Sequence, residues 1–467
     1  AVLAQYSTPG NYHSYTLDDL VAISDGAVTQ DALSYNFNED IIISTTDTLS
    51  ILDDGLLFIN EGVLWTIEGV LIIDVIPYFE ISTPGGMGYF EGIRFDNSSA
   101  SKIKHLMMSN CGGIKLVDSD LEINTCWFDN FSQDNSTAAI DLFHSNPIIR
   151  NCDISYCEGP AIGSGANASS SPQIINNIIE FNVTSNGNDP QINLGTSDGF
   201  IPIIIDSNVV VGQYEMSGGI ALSTLAGGNI NAVVTNNEVS DNRYGIAMIG
   251  SNINAEISHN IIIGNNIQND PMLGGSGLNF YGGESNQCTV SHNTIMDNLW
   301  GITIQLNARP NLGDGSSESP GHNQFYDNGN EGQTYALYNN TPGDIMALNN
   351  FWATTSLAEA EDYIFHKNDD LSLGEVFFDP MWIHPVGIEE PKEERSGVIS
   401  PNPCTHSFQI ELDSGYELSI YNLAGQVILS DMTTENETID ARSREKGCYL
   451  LNLKPETSSW TEQLLIQ

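Results

Sequence analysis

Short bursts of apolar residues, many of them β-branched and most broken by Gly or Asn, run through the greater part of the chain. That pattern predicts short strands. A helical repeat would need apolar residues spaced three and four apart over ten or more positions, and the repeats lack that spacing. The bursts also recur. Ser291-His292-Asn293-Thr294-Ile295-Met296-Asp297-Asn298 aligns with Ser258-His259-Asn260-Ile261-Ile262-Ile263-Gly264-Asn265, and both align with residues 235–242 and 175–182. The shared unit is Asn-x-apolar-x-x-Asn, followed by a small residue and an apolar strand start such as Gly113-Ile114, Gly219-Ile220, Gly245-Ile246, Gly277-Leu278 or Gly301-Ile302.

The leading column reads His105, Cys126, Cys152, Asn177, Asn208, Asn237, Asn260, Asn293, Asn323 and Asn350. Two residues later an apolar column runs from Met107 through Phe128, Ile154, Ile179, Val210, Val239, Ile262, Ile295 and Phe325 to Trp352. Steps of 21 to 33 residues, with a mean of about 27, are what stacked coils with insertions at some corners require. Each coil is expected to hold two or three strands that pair in parallel with the next coil about 4.8 Å away. Inward Asn side chains would then hydrogen-bond along the stack and satisfy one another.

On these repeats the chain resembles right-handed parallel β-helix proteins, the architecture of pectate lyases, polygalacturonases and many bacterial surface proteins. The resemblance covers roughly residues 40–385 and is specific for fold rather than activity. It implies an all-β chain with a right-handed parallel β-helix of about 11–12 coils over residues 41–386. The last coil is expected at Asn349-Asn350-Phe351-Trp352. Residues 5–40 are expected to cap the open end. Within them, residues 16–23 predict a short amphipathic helix with a capping-box pair at Thr16 and Asp19. Residues 1–4 look like the tail of a signal peptide, with Val2 and Ala4 at the small-residue cleavage positions.

Residues 387–397, Gly-Ile-Glu-Glu-Pro-Lys-Glu-Glu-Arg-Ser-Gly, are charged and aperiodic and read as an exposed linker. Beyond them, residues 398–467 alternate as several short strands, the pattern of a small β-sandwich. This segment resembles the C-terminal sorting domain of type IX secretion cargo from Bacteroidetes-type bacteria. The match is carried by Pro401-Asn402-Pro403, by Tyr421 and Gly425 in Ile420-Tyr421-Asn422-Leu423-Ala424-Gly425, and by Gly447 in Gly447-Cys448-Tyr449-Leu450-Leu451. Residues 462–467 depart from the Lys-rich hydrophobic strand common in that family. The resemblance implies engagement of the type IX secretion machinery and a secreted or outer-membrane surface-attached destination.

Charge narrows the partners. With 14 basic and 60 acidic residues the net charge is −46, so a nucleic-acid-binding stripe is excluded and polyanionic surfaces are disfavoured without a bridging cation. No apolar run is long enough for a transmembrane helix. Seven Cys is an odd number; Cys404 and Cys448 are candidates for a bridge, and Cys126 with Cys152 for a buried thiol stack.

Candidate chemistry is sparse. His259, His292 and His322 form one column on successive coils, facing outward, and stacked imidazoles suit a transition metal or a sugar as well as simple ring stacking. Asp297 and Asp327 share another column, with Asp241 further along; paired carboxylates suit glycoside cleavage, although Asp is also a common turn residue. Loops at Gly187-Asn188-Asp189, Asp198-Gly199 and Gly313-Asp314-Gly315 are candidate calcium ligands. The basic residues Arg94, Lys102, Lys104 and Lys115 make the one patch reminiscent of a polysaccharide lyase, and the Asp-rich polygalacturonase pattern is absent. Two functions remain open. One is a non-catalytic exported protein with a glycan-binding, surface-binding or structural role; the other is a carbohydrate-active enzyme, a lyase or glycoside hydrolase, working on a ladder face.

Overall fold

One turn of the coil shows why the pattern folds as it does. Ile246–Gly250, Ile253–Ser258 and Ile261–Ile263 are three strands separated by sharp bends. Each pairs in parallel with the strand one rung on, with Ile246 opposite Leu278, Ala255 opposite Cys288 and Ile262 opposite Ile295. Alternation then sends Ile246, Met248, Ile257 and Ile262 into a continuous core, where all are buried. The fold comes from a computed structural model that describes residues 4–31, 34–132 and 137–383, together with the tail strands between 397 and 466. The chain divides into two units, Ala1–Ile383 and His384–Gln467.

The first unit is a parallel β-helix. Its front sheet has 14 strands, from Gln5–Ser7 to Ile364–Phe365, and the second and third strands of each rung stack in the same way. Glycine begins many front strands because the rungs approach closely there. A Cβ on Gly277 would lie 2.8 Å from both the Gly301 carbonyl oxygen and the Ile295 side chain.

Between the second and third strands the chain turns through a left-handed residue, with φ of 58° at His259, 58° at His292 and 61° at His322. The next residue points inward. Asn177, Asn208, Asn237, Asn260, Asn293, Asn323 and Asn350 form a buried ladder in which each Nδ2 donates to the next Oδ1 at 2.9–3.0 Å. Each of those Oδ1 atoms also accepts the previous rung's backbone N–H. A second ladder, Asn242, Asn265, Asn298 and Asn328, lines the bend from third strand to front strand. Its lower end is completed by Gln191, which accepts from Asn182 and donates to Asn242. In a bend that must bury polar groups, these side chains leave few of them unpaired.

Several sequence expectations need correction. His105 does not occupy the inward column. It sits at the left-handed bend with φ 56°, and Leu106 points into the core, where it is fully buried. The apolar residue of that rung is accordingly Met108, opposite Phe128, not Met107, opposite Trp127. The slip arises because Lys102–Ser109 runs as one strand with a register irregularity between Lys104 and Leu106. The rung count exceeds 11–12 because the end rungs lack the Asn signature. Gln5–Ser7 already pairs with Asp40–Ile43, and a rung beyond Trp352 adds Ile364–Phe365 and Val376–Phe377. The helix Leu17–Ile23 carries the capping box: Thr16 Oγ1 accepts from Asp19 N–H at 3.2 Å, and the Asp19 carboxylate accepts from Thr16 N–H at 2.9 Å.

The second unit contains an antiparallel sheet of Gly397–Ser400, Ser407–Leu412 and Glu437–Asp440, and another of Tyr416–Asn422, Val427–Thr433, Gly447–Lys454 and Trp460–Ile466. Tyr421 and Gly447 lie in strands. Pro401, Asn402, Pro403, Gly425 and Cys404 fall outside the described residues, as do residues 1–3 and most of the linker.

Candidate functional site

The histidine column forms a closed stack. His259 and His292 lie face to face, with ring centroids 4.7 Å apart and planes 3° from parallel. His322 turns edge-on to His292, placing its Nδ1 3.2 Å from His292 Nε2, and packs on Trp382 at 5.1 Å. Burial, then the neighbouring charges of His259 and His322, pushes the His292 pKa below its usual 6.5. Parallel rings aim their in-plane nitrogens side by side rather than at one ion. Among the described residues no three His, Cys, Asp or Glu side chains converge as metal ligands would.

Asp297 and Asp327 sit at the other bend, exposed, with φ of 56° and 49°, and Asp241 occupies the same kind of position at 54°. Asn, Asp and His are the non-glycine residues that best tolerate this conformation, so backbone geometry already accounts for both columns. The strand Thr294–Met296 separates Asp297 from His292, and the two do not meet. The calcium-loop candidates do not gather ligands either. Asp314 closes its own turn, accepting from Asn311 Nδ2 and Ser316 N–H at 2.8 Å each, and Asp198 accepts from Phe200 N–H at 3.0 Å. Three of the four cations of the basic patch meet the chain's own acids: Arg94 with Asp96 at 2.7 Å, Lys104 with Glu122 at 3.9 Å and Lys115 with Asp141 at 3.4 Å. Cys126 and Cys152 are free and buried, and burial, then the neighbouring thiol, raises the Cys126 pKa.

What sequence reasoning missed is a groove of about 590 Å³ on the outer face of the front sheet. It crosses six strands, Pro190–Leu194 to Leu337–Asn340, or roughly 24 Å at the usual rung spacing. Its floor is small or polar, including Ala221, Asn279 and Thr303, with Thr303 donating to Asn279 Oδ1 at 3.0 Å. One end carries an aromatic cluster. Trp300 lies 4.6 Å from Tyr335 and 4.9 Å from Tyr338, and Tyr338 stacks on Phe365 at 4.8 Å. Trp300 Nε1 donates to the Pro271 carbonyl at 3.0 Å, fixing the ring against the loop that forms one wall. That loop and the one around Asn188 lie within the two longest steps between ladder Asn residues in the central rungs, 260 to 293 and 177 to 208. Long steps beside aromatic front-strand residues were the available signal. Among the described residues neither carboxylate nor imidazole lines this groove.

A third feature lies on the outer face of the third strands. Asp129, Asp153 and Glu180 occur on successive rungs, with Trp127 opposite Asp153 and Ser155 between Asp129 and Glu180 in register. Burial raises the pKa of all three. For Asp153 a bond from Ser155 partly offsets burial and the charge of Asp129 adds to it; for Glu180 the charge of Asp153 adds.

Comparison with known proteins supplies further bearings. A family model described as "Secretion system C-terminal sorting domain" matches residues 398–467. Another, described as "Protein of unknown function (DUF1565)", matches residues 214–356. No curated protein matches the chain. Among solved structures, a mutant of the periplasmic alginate epimerase AlgG is similar at 12% identity and a TM-score of 0.32, over 79% of this chain and 81% of that one. The receptor-binding tailspike of bacteriophage Det7 is similar at 10% identity and a TM-score of 0.27, over 99% and 94% respectively. No helix among the described residues is long and apolar enough to cross a membrane. The chain is a parallel β-helix protein whose C-terminal type IX sorting domain directs its export to the cell surface or the extracellular space.

Proposed function

We propose that the β-helix is a non-catalytic glycan-binding module, delivered outside the cell by its sorting tail, and that the front-sheet groove is where the glycan lies. The observation that carries this reading is the groove's lining, in which Trp300 and Tyr338 offer aromatic surface beside the amides and hydroxyls of Asn193, Asn279, Thr303 and Gln305. Sugars present apolar C–H faces and peripheral hydroxyls, and that combination of surfaces is complementary to both. With no carboxylate or imidazole among the lining residues, the groove brings no acid–base pair to a bound polymer. The test is retention of the full chain on immobilised neutral polysaccharides, with new reducing ends measured in parallel. Retention without cleavage supports the reading. Release of reducing ends, or retention undiminished in Trp300→Ala, overturns it.

The enzymatic reading has one observation in its favour, the Asp129, Asp153 and Glu180 carboxyls beside the exposed Trp127. Carboxyls whose pKa burial raises are the kind that serve as general acids. Reducing ends that appear with the intact chain and vanish in Asp153→Asn would favour this second reading.

A further inference from the structure

Among the described residues of the β-helix, Lys102 and Arg243 are the cations with no carboxylate within 4.0 Å, and of the two it is Arg243 that lies in a groove. Arg94, Lys104, Lys115, Arg150, Arg309 and Lys367 each meet a carboxylate of the chain within 4.0 Å. Arg243 lies in the front-sheet groove, and its described partners are neutral oxygens. Its Nη2 donates to the Leu273 carbonyl at 2.6 Å, and its Nη1 donates to Asn188 Oδ1. Those two partners come from the two loops that wall the groove, so the guanidinium is held between them. Gly274 packs tightly on its stem, where an added Cβ would sit 2.9 Å from Arg243 Cγ. Among the described residues the Nε–H is buried with no acceptor, an arrangement that costs stability.

The consequence is a fixed positive charge, uncompensated by any carboxylate within ion-pair distance among the described residues, in a protein of net charge −46. A planar guanidinium with free N–H groups matches an oxyanion in two-pronged fashion better than it matches a hydroxyl. A long polyanion would still be repelled by the 60 acidic side chains. From this placement we infer that Arg243 reads a single anionic substituent, a carboxylate or a sulfate ester, carried on an otherwise neutral glycan whose backbone lies along Trp300 and Tyr338.

This inference rests on the groove being the glycan site, and the experiment separates the two. The full chain and its Arg243→Gln variant are applied to an array of neutral oligosaccharides and of the same backbones bearing one carboxylate or one sulfate. The expected result is roughly tenfold tighter binding of the singly charged members than of their neutral counterparts, a ratio that falls to about one in Arg243→Gln; raised salt should erase the same preference. The carboxylate and sulfate arms distinguish the two sources of charge. Equal binding of charged and neutral members by the natural chain overturns the inference and leaves the groove reading standing. An equal loss on all members in Arg243→Gln also overturns it, since the arginine would then serve only to tie the two loops together. Binding of no member by the natural chain overturns the groove reading and the inference with it.

Discussion

Two grooves lie on adjacent faces of the same β-helix, and they use their rings in opposite ways. The groove beside the histidine stack is the larger at about 780 Å³ and includes His259, His292, Glu256 and Glu318 among its lining residues. Its rings are engaged with one another: His259 on His292, His292 on His322, His322 on Trp382. The front-sheet groove is smaller, and Trp300 and Arg243 occur there outside the Asn and His columns that are copied from rung to rung. Residues that recur at one bend satisfy their copies above and below. The front-sheet rings pack on unlike neighbours instead, Trp300 on Tyr335 and Tyr338 and Tyr338 on Phe365, at the edge of a floor of amides and hydroxyls. In this molecule a break in the repeat is a better guide to a site than the repeat itself.

The comparison can be sharpened from its structural side first. Asn293→Ala removes a rung of the buried ladder: the Asn260 backbone N–H and Nδ2 lose Asn293 Oδ1 as acceptor, and the Ile257 carbonyl and Asn323 Oδ1 lose Asn293 Nδ2 as donor. A loss of about 3 kcal/mol is expected, read as a lowered denaturation midpoint, with glycan retention unchanged in the fraction that stays folded. Trp300→Ala should do the reverse. Retention on the glycan that binds the natural chain should fall at least tenfold, while the denaturation midpoint moves far less than in Asn293→Ala. If both variants lose stability equally and retention equally, the division between ladder and groove fails.

Smaller effects follow from protonation. Folded His292 holds its proton less readily than the free side chain, so the folded state binds fewer protons than the unfolded one. Stability should therefore rise with pH through the range below about 6.5 and fall as the solution is acidified through it. His292→Gln should flatten that slope and leave glycan retention intact; a collapse of retention would move the site to the histidine face. Asp153 has the opposite sign. Its carboxyl is held above the usual 3.8, mainly by burial, so its ionisation opposes folding once the pH exceeds that value. Asp153→Asn should raise the melting temperature at pH 7, by an amount worth under about 1 kcal/mol because the group is half exposed, and should have no effect at pH 3.

Much of the fold was legible because the β-helix is nearly one-dimensional. A rung contacts chiefly the rungs next to it, so a column such as Asn260, Asn293 and Asn323 is both a sequence pattern and a hydrogen-bonded object. Legibility failed where the signature thinned. At Lys102–Ser109 no Asn marked the inward position, and His105, a bend residue, was the nearest polar candidate for it. Gln191 escaped notice for a related reason. Its side chain completes the second ladder from a front strand, a place that no alignment of bends would search.

The sequence by itself determined the coil, the bend chemistry and the sorting tail, since spacing, left-handed tolerance and a contiguous motif are all local properties. The tertiary structure alone decided that the histidines consume one another, that Asp96, Glu122 and Asp141 pair with three of the four patch cations, and that no described carboxylate pairs with Arg243. Those outcomes depend on which side chains neighbouring rungs and inserted loops bring within a few ångströms. A spacing of about 27 residues along the chain says that two groups share a face, but it leaves open whether they touch, pair or stand free.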